Sequence, residues 1–344
     1  MSIPVIDLSP FATGASLPAP AAETVATALD EALCETGFVS IVGHGVDDGV
    51  KQRFFGAMRQ FFALPEEHKD AIAIGNSDCH RGYVGFGTES LEGALGLTDD
   101  DDVEHVRAGD MKETLDTGNE HGPDHPEVVA GTPLHGPNQF PDLPGFREAW
   151  DDYRAAAAEA ALRMQRALAM ALGLEPGFFE DQPGETMHHL RMVHYPPMDG
   201  LAPEPGQLGC GAHTDYGTLT VLADDGVGGL QVRTRDGEWI DITVPDGHLV
   251  VNLGDLMAIW TNDRWVSNPH RVVNPPGVDR YSAPFFVTPP FHLRIEVLPT
   301  CVPEGEAPRH EPLVTGPYML GRFDGTHSYR NDLLEEHNRE FSLG

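Results

Sequence analysis

The chain is short of positive charge. Lys and Arg together number 22 against 54 Asp and Glu, a formal net charge of −32. A surface this acidic repels phosphate backbones and anionic lipid headgroups, which argues against nucleic acid and membrane as partners. Cysteine is scarce too: Cys34, Cys79, Cys210 and Cys301 are scattered, with no C-x-x-C pair. That argues against a zinc ribbon or a disulfide scaffold and suits reduced thiols. No run approaches the roughly 20 apolar residues of a membrane-spanning helix. The opening MSIPVIDLSPFATG has neither the basic nor the apolar stretch of a secretion leader. A cytoplasmic localisation is expected. There is no internal repeat.

What is present divides by texture. Residues 3–8 (IPVIDL) read as a short strand. Residues 21–35 carry the helical period, with Val25, Ala28, Leu29 and Ala32 on one face and Gly37 as the stop. FVSIVGHGV follows as strand and turn. Residues 47–64 form a second helix, with Phe54, Met58, Phe61 and Phe62 inward and Pro65 at its end. The charged stretch PEEHKD beyond, with His68, Lys69 and Asp70, reads as solvent-facing. Residues 75–145 are rich in Gly, Pro, Asp and His and predict a long loop or a set of short irregular elements, the usual material of a lid or substrate-binding segment. The acidic run from Asp99 to Asp102 within it reads as solvated. Residues 146–174 are a long Ala-rich helix closed by Gly173.

From Met187 to about Val297, short β-branched runs alternate with Gly, Pro and Asp turns: LRMVHY, GTLTVLAD, GGLQVRT, WIDITV, HLVVNLG, HRVVNP, YSAPFFVTP and FHLRIEVL. Such spacing indicates a sandwich or barrel, with the preceding helices packed on the outside of an antiparallel core. Residues 318–341 read as a further charged helical segment. The expected organisation is a single domain in three parts: a helix-rich 1–186 with substrate-entrance loops, a β core at 187–297, and a helical 298–344.

With 17 histidines, a lone histidine means little, so context must discriminate. His213-Thr214-Asp215 stands at the entry to an apolar strand, where residues i and i+2 share a face. His270, heading the run HRVV, is the natural third member. Two imidazoles and one carboxylate on one face of an octahedral ion leave three positions open, the facial triad of non-haem iron(II) sites. Arg280 and Ser282 share a strand face ten and twelve residues later, and a buried guanidinium beside a hydroxyl is suited to hold a carboxylate. Tyr195 could add a phenol donor to it.

The chain resembles the isopenicillin N synthase-like family of iron(II)/2-oxoglutarate-dependent dioxygenases. The resemblance runs through PVIDLSPF, GFVSIVGHGV, FFALPEEHK, RGYVGFGTE, MKETLD, LRMVHYPP, GAHTDYGTLTVLADDGVGGLQV, WIDITVPDGHLVVNLGDLMAIWTND, NPHRVVNPP and RYSAPFF. It implies a double-stranded β-helix, or jelly roll, that is mainly β with flanking helices. It also implies His213, Asp215 and His270 as iron ligands, and Arg280 and Ser282, helped by Tyr195, as the 2-oxoglutarate site. The implied reaction consumes 2-oxoglutarate and O2, releases succinate and CO2, and oxidises a C–H bond of a small molecule. Hydroxylation is the expected outcome, with desaturation or cyclisation as variants, in secondary metabolism or amino-acid oxidation.

The chain departs from many plant members at Val193, where they have Asn, and at His194, which is often aromatic. Arg191, four residues before Tyr195, is expected at the substrate pocket. Residues 83–116 show no substrate signature, and the oligomeric state is open. The alternative readings are a 2-oxoglutarate-independent iron oxidase of the isopenicillin N synthase type, a zinc hydrolase or isomerase on the same ligands, and a non-catalytic ligand-binding jelly roll.

Overall fold

The structure is a computed structural model that describes residues 3–12, 19–91, 109–197 and 207–324. The N-terminal part holds β1 (Val5–Asp7), α1 (Ala19–Glu35), β2 (Phe38–Val42), α2 (Asp48–Phe62) and α3 (Glu66–Asp70). Then come β3 (Gly82–Val84), β4 (Glu113–Gly118), the single turn α4 (Pro126–Val129) and the long α5 (Phe146–Ala171). The strands of the second half are β5 (Met187–Tyr195), β6 (Cys210–His213), β7 (Leu219–Asp224), β8 (Leu230–Arg233), β9 (Trp239–Asp241) and β10 (Leu249–Leu253). After α6 (Asp255–Trp260) follow β11 (His270–Val272), β12 (Arg280–Thr288), β13 (Arg294–Ile295), β14 (Leu313–Val314) and α7 (Thr315–Asp324).

Two sheets dominate the described residues. The larger has the order β1-β2-β10-β7-β12-β5-β4-β3, and the smaller β6-β11-β8-β9. All pairings are antiparallel except β1 with β2. The two-residue side-chain period gives the larger sheet two distinct faces. Val221, Ala223, Val251, Ala283, Phe285 and Val287 are all but fully buried, on the face that packs against the helices. Leu222, Asn252, Arg280, Ser282 and Phe286 alternate with them and line the cavity between the sheets. Phe38 and Val250 of the larger sheet meet Leu230 and Val232 of the smaller one in a separate apolar cluster that closes one end. This is the jelly roll flanked by helices.

Helix α5 lies against α1, α2, β7 and β12, and Tyr153 stacks on Phe54 of α2 with ring centres 4.2 Å apart. In α1 the buried stripe is Ala22, Ala26, Leu29, Ala32 and Leu33; Ala28, expected inward, is exposed. Helix α2 starts where Asp47 accepts from the N–H groups of Gly49 and Val50, an N-cap. Pro284 has no N–H to give, and the ladder between β12 and β5 is interrupted there without losing register.

One expectation needs correction. Lys69 is not solvent-facing: it is buried and reaches Glu113 on β4 at 2.5 Å, while Tyr83 (2.5 Å) and His194 (2.8 Å) complete the same network. Of the two readings of 75–145, the set of short elements holds for the described residues: β3, β4 and α4 lie there, and β4, buried at all six positions, extends the larger sheet. The run Asp99–Asp102 and residues 325–344 lie outside the described residues.

Candidate functional site

His213 is the last residue of β6, and His270 the first of β11; they are direct cross-strand partners in the smaller sheet. The register of that pair slips between His270 and Val272, an irregularity of the kind that re-aims side chains beside functional sites. Asp215 does not share the strand, as i and i+2 spacing suggested; it lies in the turn beyond β6. That turn is fastened to α6, whose Asp255 N–H reaches the Asp215 carbonyl at 2.8 Å and whose Leu256 N–H reaches that of Gly217 at 3.1 Å. The three side chains nevertheless converge, each offering one ligand atom within 4.8 Å of the others. Asp215 Oδ1 is 3.8 Å from His213 Nε2 and 3.7 Å from His270 Nε2.

Their hydrogen bonds leave the right atoms free. His213 Nδ1 donates to the Gly211 carbonyl (2.8 Å) and His270 Nδ1 to that of Asn268 (3.1 Å). A carbonyl can only accept, so in each neutral ring the proton sits on Nδ1 and the Nε2 lone pair faces the cluster. Asp215 Oδ2 accepts from Thr220 Oγ1 (2.5 Å) and Asn252 Nδ2 (2.6 Å), which turns Oδ1 inward. Burial works to raise the Asp215 carboxyl, but the two imidazoles and these donors outweigh it and hold the group below the usual carboxylate range. Burial, reinforced by His213, pushes His270 well below its ordinary value, so it stays neutral. Neutral imidazoles and an ionised carboxylate are the states in which these groups bind a metal.

The same cavity contains a buried guanidinium that forms no ion pair among the described residues, although the nearby buried Asp224 feels its charge. Arg280 is 1% exposed. Its Nε donates to the Gly228 carbonyl (2.6 Å) and its Nη1 to Ser282 Oγ (3.3 Å), and the Tyr195 ring lies 4.7 Å from the guanidinium. Among the described residues it forms no ion pair; even Asp224, in register with Ser282, does not reach it. A charge taken out of water without a partner is costly, and a carboxylate supplied by a ligand would offset that cost. Arg280 pairs with Tyr195 across β12 and β5, so Arg280, Ser282 and Tyr195 occupy one corner of the cavity. His213, Asp215 and His270 line its other side. The donor set thus fits both iron(II) and a chelating keto-acid whose far carboxylate meets Arg280.

Arg191 also lines the cavity, but it is not free. Its Nε reaches Asp116 at 2.7 Å, and its Nη1 lies 3.1 Å from each oxygen of Glu89. Burial alone would raise Asp116, yet Arg191 and His189 (2.5 Å) hold its carboxyl far below the usual range. Glu89 also pairs with Lys112 (3.0 Å), which is bound to Asp110 as well. Sequence reasoning missed Glu89, Asp110, Lys112 and Asp116. Lys112 and Asp116 fall in MKETLD and Glu89 closes RGYVGFGTE, stretches that signalled only the family resemblance; Asp110 lies in neither. A second pocket shares Glu89, His189 and Arg191 of this polar wall and reaches His213 and Asp215, with Leu91, Tyr216, Phe286, Met319 and Phe323 as its apolar lining.

Known proteins resemble this chain along most of its length. Residues 3–143 match the family described as non-haem dioxygenase in morphine synthesis N-terminal, and residues 186–289 match the 2OG-Fe(II) oxygenase superfamily. A 2-oxoglutarate-Fe(II) type oxidoreductase of Emericella nidulans is 36% identical, over 97% of this chain and 94% of its own. A homoarginine-6-hydroxylase of Glycine max is 33% identical, over 87% of this chain and 89% of its own. Among solved structures, a full-length Neurospora crassa protein in complex with alpha-KG and thymine superposes with a TM-score of 0.77 at 30% identity, over 94% of this chain and 96% of its own.

Proposed function

The chain belongs to the 2OG-Fe(II) oxygenase superfamily, and on that premise we propose which residues perform its chemistry and on what kind of substrate. It is an enzyme, an iron(II)- and 2-oxoglutarate-dependent oxygenase that uses O2. His213 Nε2, Asp215 Oδ1 and His270 Nε2 hold the iron. Arg280 and Ser282 receive the distal carboxylate of 2-oxoglutarate, and Tyr195 packs beneath the guanidinium and keeps it aimed. Together iron, 2-oxoglutarate and O2 supply the oxidising power for a C–H bond, with one oxygen atom leaving in succinate and the other, in a hydroxylation, in the alcohol.

The substrate is a small organic molecule seated against Phe286, Leu91 and Tyr216. Arg191, held rigid by Asp116 and Glu89, gives it a fixed donor edge. A guanidinium locked by two carboxylates costs little further ordering when substrate binds, so it favours one orientation of the reacting bond. The apolar lining excludes water from that bond. Small-molecule chemistry accords with the thymine named in the Neurospora structure. The 2-oxoglutarate-independent alternative is not favoured, because the Emericella relative is named for 2-oxoglutarate and the Neurospora structure is a complex with alpha-KG.

The observation that carries this reading is the buried Arg280 without an ion-pair partner, in one cavity with the His-Asp-His cluster. Its test is Arg280→Ala. Charge-assisted hydrogen bonds contribute roughly 1.5–3 kcal/mol each, so the 2-oxoglutarate concentration for half-maximal succinate formation should rise by about 10- to 100-fold. An unchanged requirement would remove Arg280 from this role.

A further inference from the structure

A second group of metal-type ligands lies beyond the end of β4, away from the cavity. His121 follows β4, His125 precedes α4, and Glu185 leads into β5. Glu185 Oε2 is 2.9 Å from His121 Nε2 and 3.6 Å from His125 Nε2, and the two rings are 4.2 Å apart. One ligand atom from each lies within 4.8 Å of the others. The carboxylate is oriented: Asn119 Nδ2 donates to Oε1 at 2.7 Å and also to the Thr186 carbonyl at 2.9 Å, leaving Oε2 for the imidazoles.

His121 is 5% exposed, and its Nδ1 has no hydrogen-bond partner among the described residues. A cation on Nε2 would not satisfy Nδ1; what points to an ion is the approach of both Nε2 atoms to the one oriented carboxylate oxygen of Glu185. A third ring, His135, stacks on His121 at 5.1 Å with its Nδ1 donating to the Pro133 carbonyl. His125 Nδ1 accepts a long 3.3 Å bond from the Glu127 N–H, capping α4. Coordination through Nε2 would put the ring proton on Nδ1 and release that cap.

We propose that His121, His125 and Glu185 form a second metal site, distinct from the iron site, for a divalent ion of the zinc class. Two nitrogens and one carboxylate oxygen are a zinc donor set. Bonds of about 2.0–2.1 Å in a four-coordinate site set ligands roughly 3.3 Å apart, a spacing that the observed 2.9 and 3.6 Å contacts bracket. The fourth position is open to water, since the side chains of His125 and Glu185 are 31% and 48% exposed. The bound ion fastens the segment after β4 to the start of β5, the strand that carries His189 and Arg191. Its role is structural, and it takes no part in the oxidation.

The probe is zinc alone, added to chelator-stripped protein and counted by equilibrium dialysis with metal analysis, alongside thermal unfolding. Wild type should take up about two equivalents, one at each cluster. His125→Ala and Glu185→Gln should each take up one fewer and lose the zinc-dependent rise in Tm that the second equivalent gives. His270→Ala should also lose one, from the other site. Glu185→Gln keeps an acceptor for Asn119, so it separates loss of the ligand from loss of the fold, and circular dichroism confirms both variants folded. A single equivalent in wild type that disappears in His270→Ala would overturn the proposal, as would a second equivalent that persists in both His125→Ala and Glu185→Gln.

Discussion

At the scale of single residues, the proposed metal ligands are oriented by groups outside the cluster. Thr220 and Asn252 hold one oxygen of Asp215 so that the other points between the imidazoles. Removing such a partner commonly costs 10- to 100-fold in metal affinity. Asn252→Leu should therefore weaken iron(II) binding by about that factor, read by competition with a chromophoric chelator, while the protein stays folded. Unaltered affinity would mean that Thr220 alone aligns the carboxylate. His213, Asp215, His270, Arg280 and Ser282 were singled out in the sequence by their place at or just beyond strands, and the fold brings them to one cavity. Asp116, Glu89 and Lys112 were not. In a chain of −32, a carboxylate in a Gly- and Pro-rich stretch looks solvated. Only the fold reveals that Arg191, itself legible, comes to rest against it. Lys69 misled for the same reason: the charged neighbours that made it look exposed are themselves exposed, while its own side chain turns inward to Glu113.

At the scale of elements, the strands of the second half were readable because β-branched runs alternate with Gly, Pro and Asp turns. One face of β7, β10 and β12 is buried in the core, and the other brings Thr220, Asn252, Arg280 and Ser282 to the cavity among apolar neighbours such as Leu222 and Phe286. Strand β4 was hard to read because ETLDTG has one apolar residue, Leu115, and so no apolar period, while Glu113, Asp116 and Thr117 are buried against polar partners. The turn that carries Asp215 was also misjudged, since its position depends on a long-range seam with the start of α6. That seam is tight. A Cβ on Gly254 would lie 2.3 Å from the Gly217 carbonyl oxygen and 2.8 Å from that of Asp215. Gly254→Ala should push the ligand-bearing turn away. Overpacking of this kind costs about 1–3 kcal/mol, so Tm should fall by several degrees and iron(II) affinity with it. A variant with wild-type Tm and affinity would show that the turn yields freely.

At the scale of the whole molecule, cations are few, and Arg280, Arg191 and Lys112 stand in the walls of one cavity. Two of them are neutralised by protein carboxylates; Arg280 is left for a ligand. No helix among the described residues is long and apolar enough to cross a membrane. The two-sheet fold brings β6 and β11 of one sheet opposite β12 and β5 of the other, so metal ligands and anchor approach the cavity from opposite walls. This is why no single stretch of sequence contains the site. The central claim is that one cavity holds iron through His213, Asp215 and His270 while Arg280 holds 2-oxoglutarate. Anaerobic titration of metal-free protein with iron(II), then 2-oxoglutarate, tests it most directly through the weak visible charge-transfer band of the chelate. Wild type should develop the band, His270→Ala should not, and Arg280→Ala should need far more 2-oxoglutarate to reach it. Iron bound by wild type without a band, or a band undiminished in His270→Ala, would contradict the account.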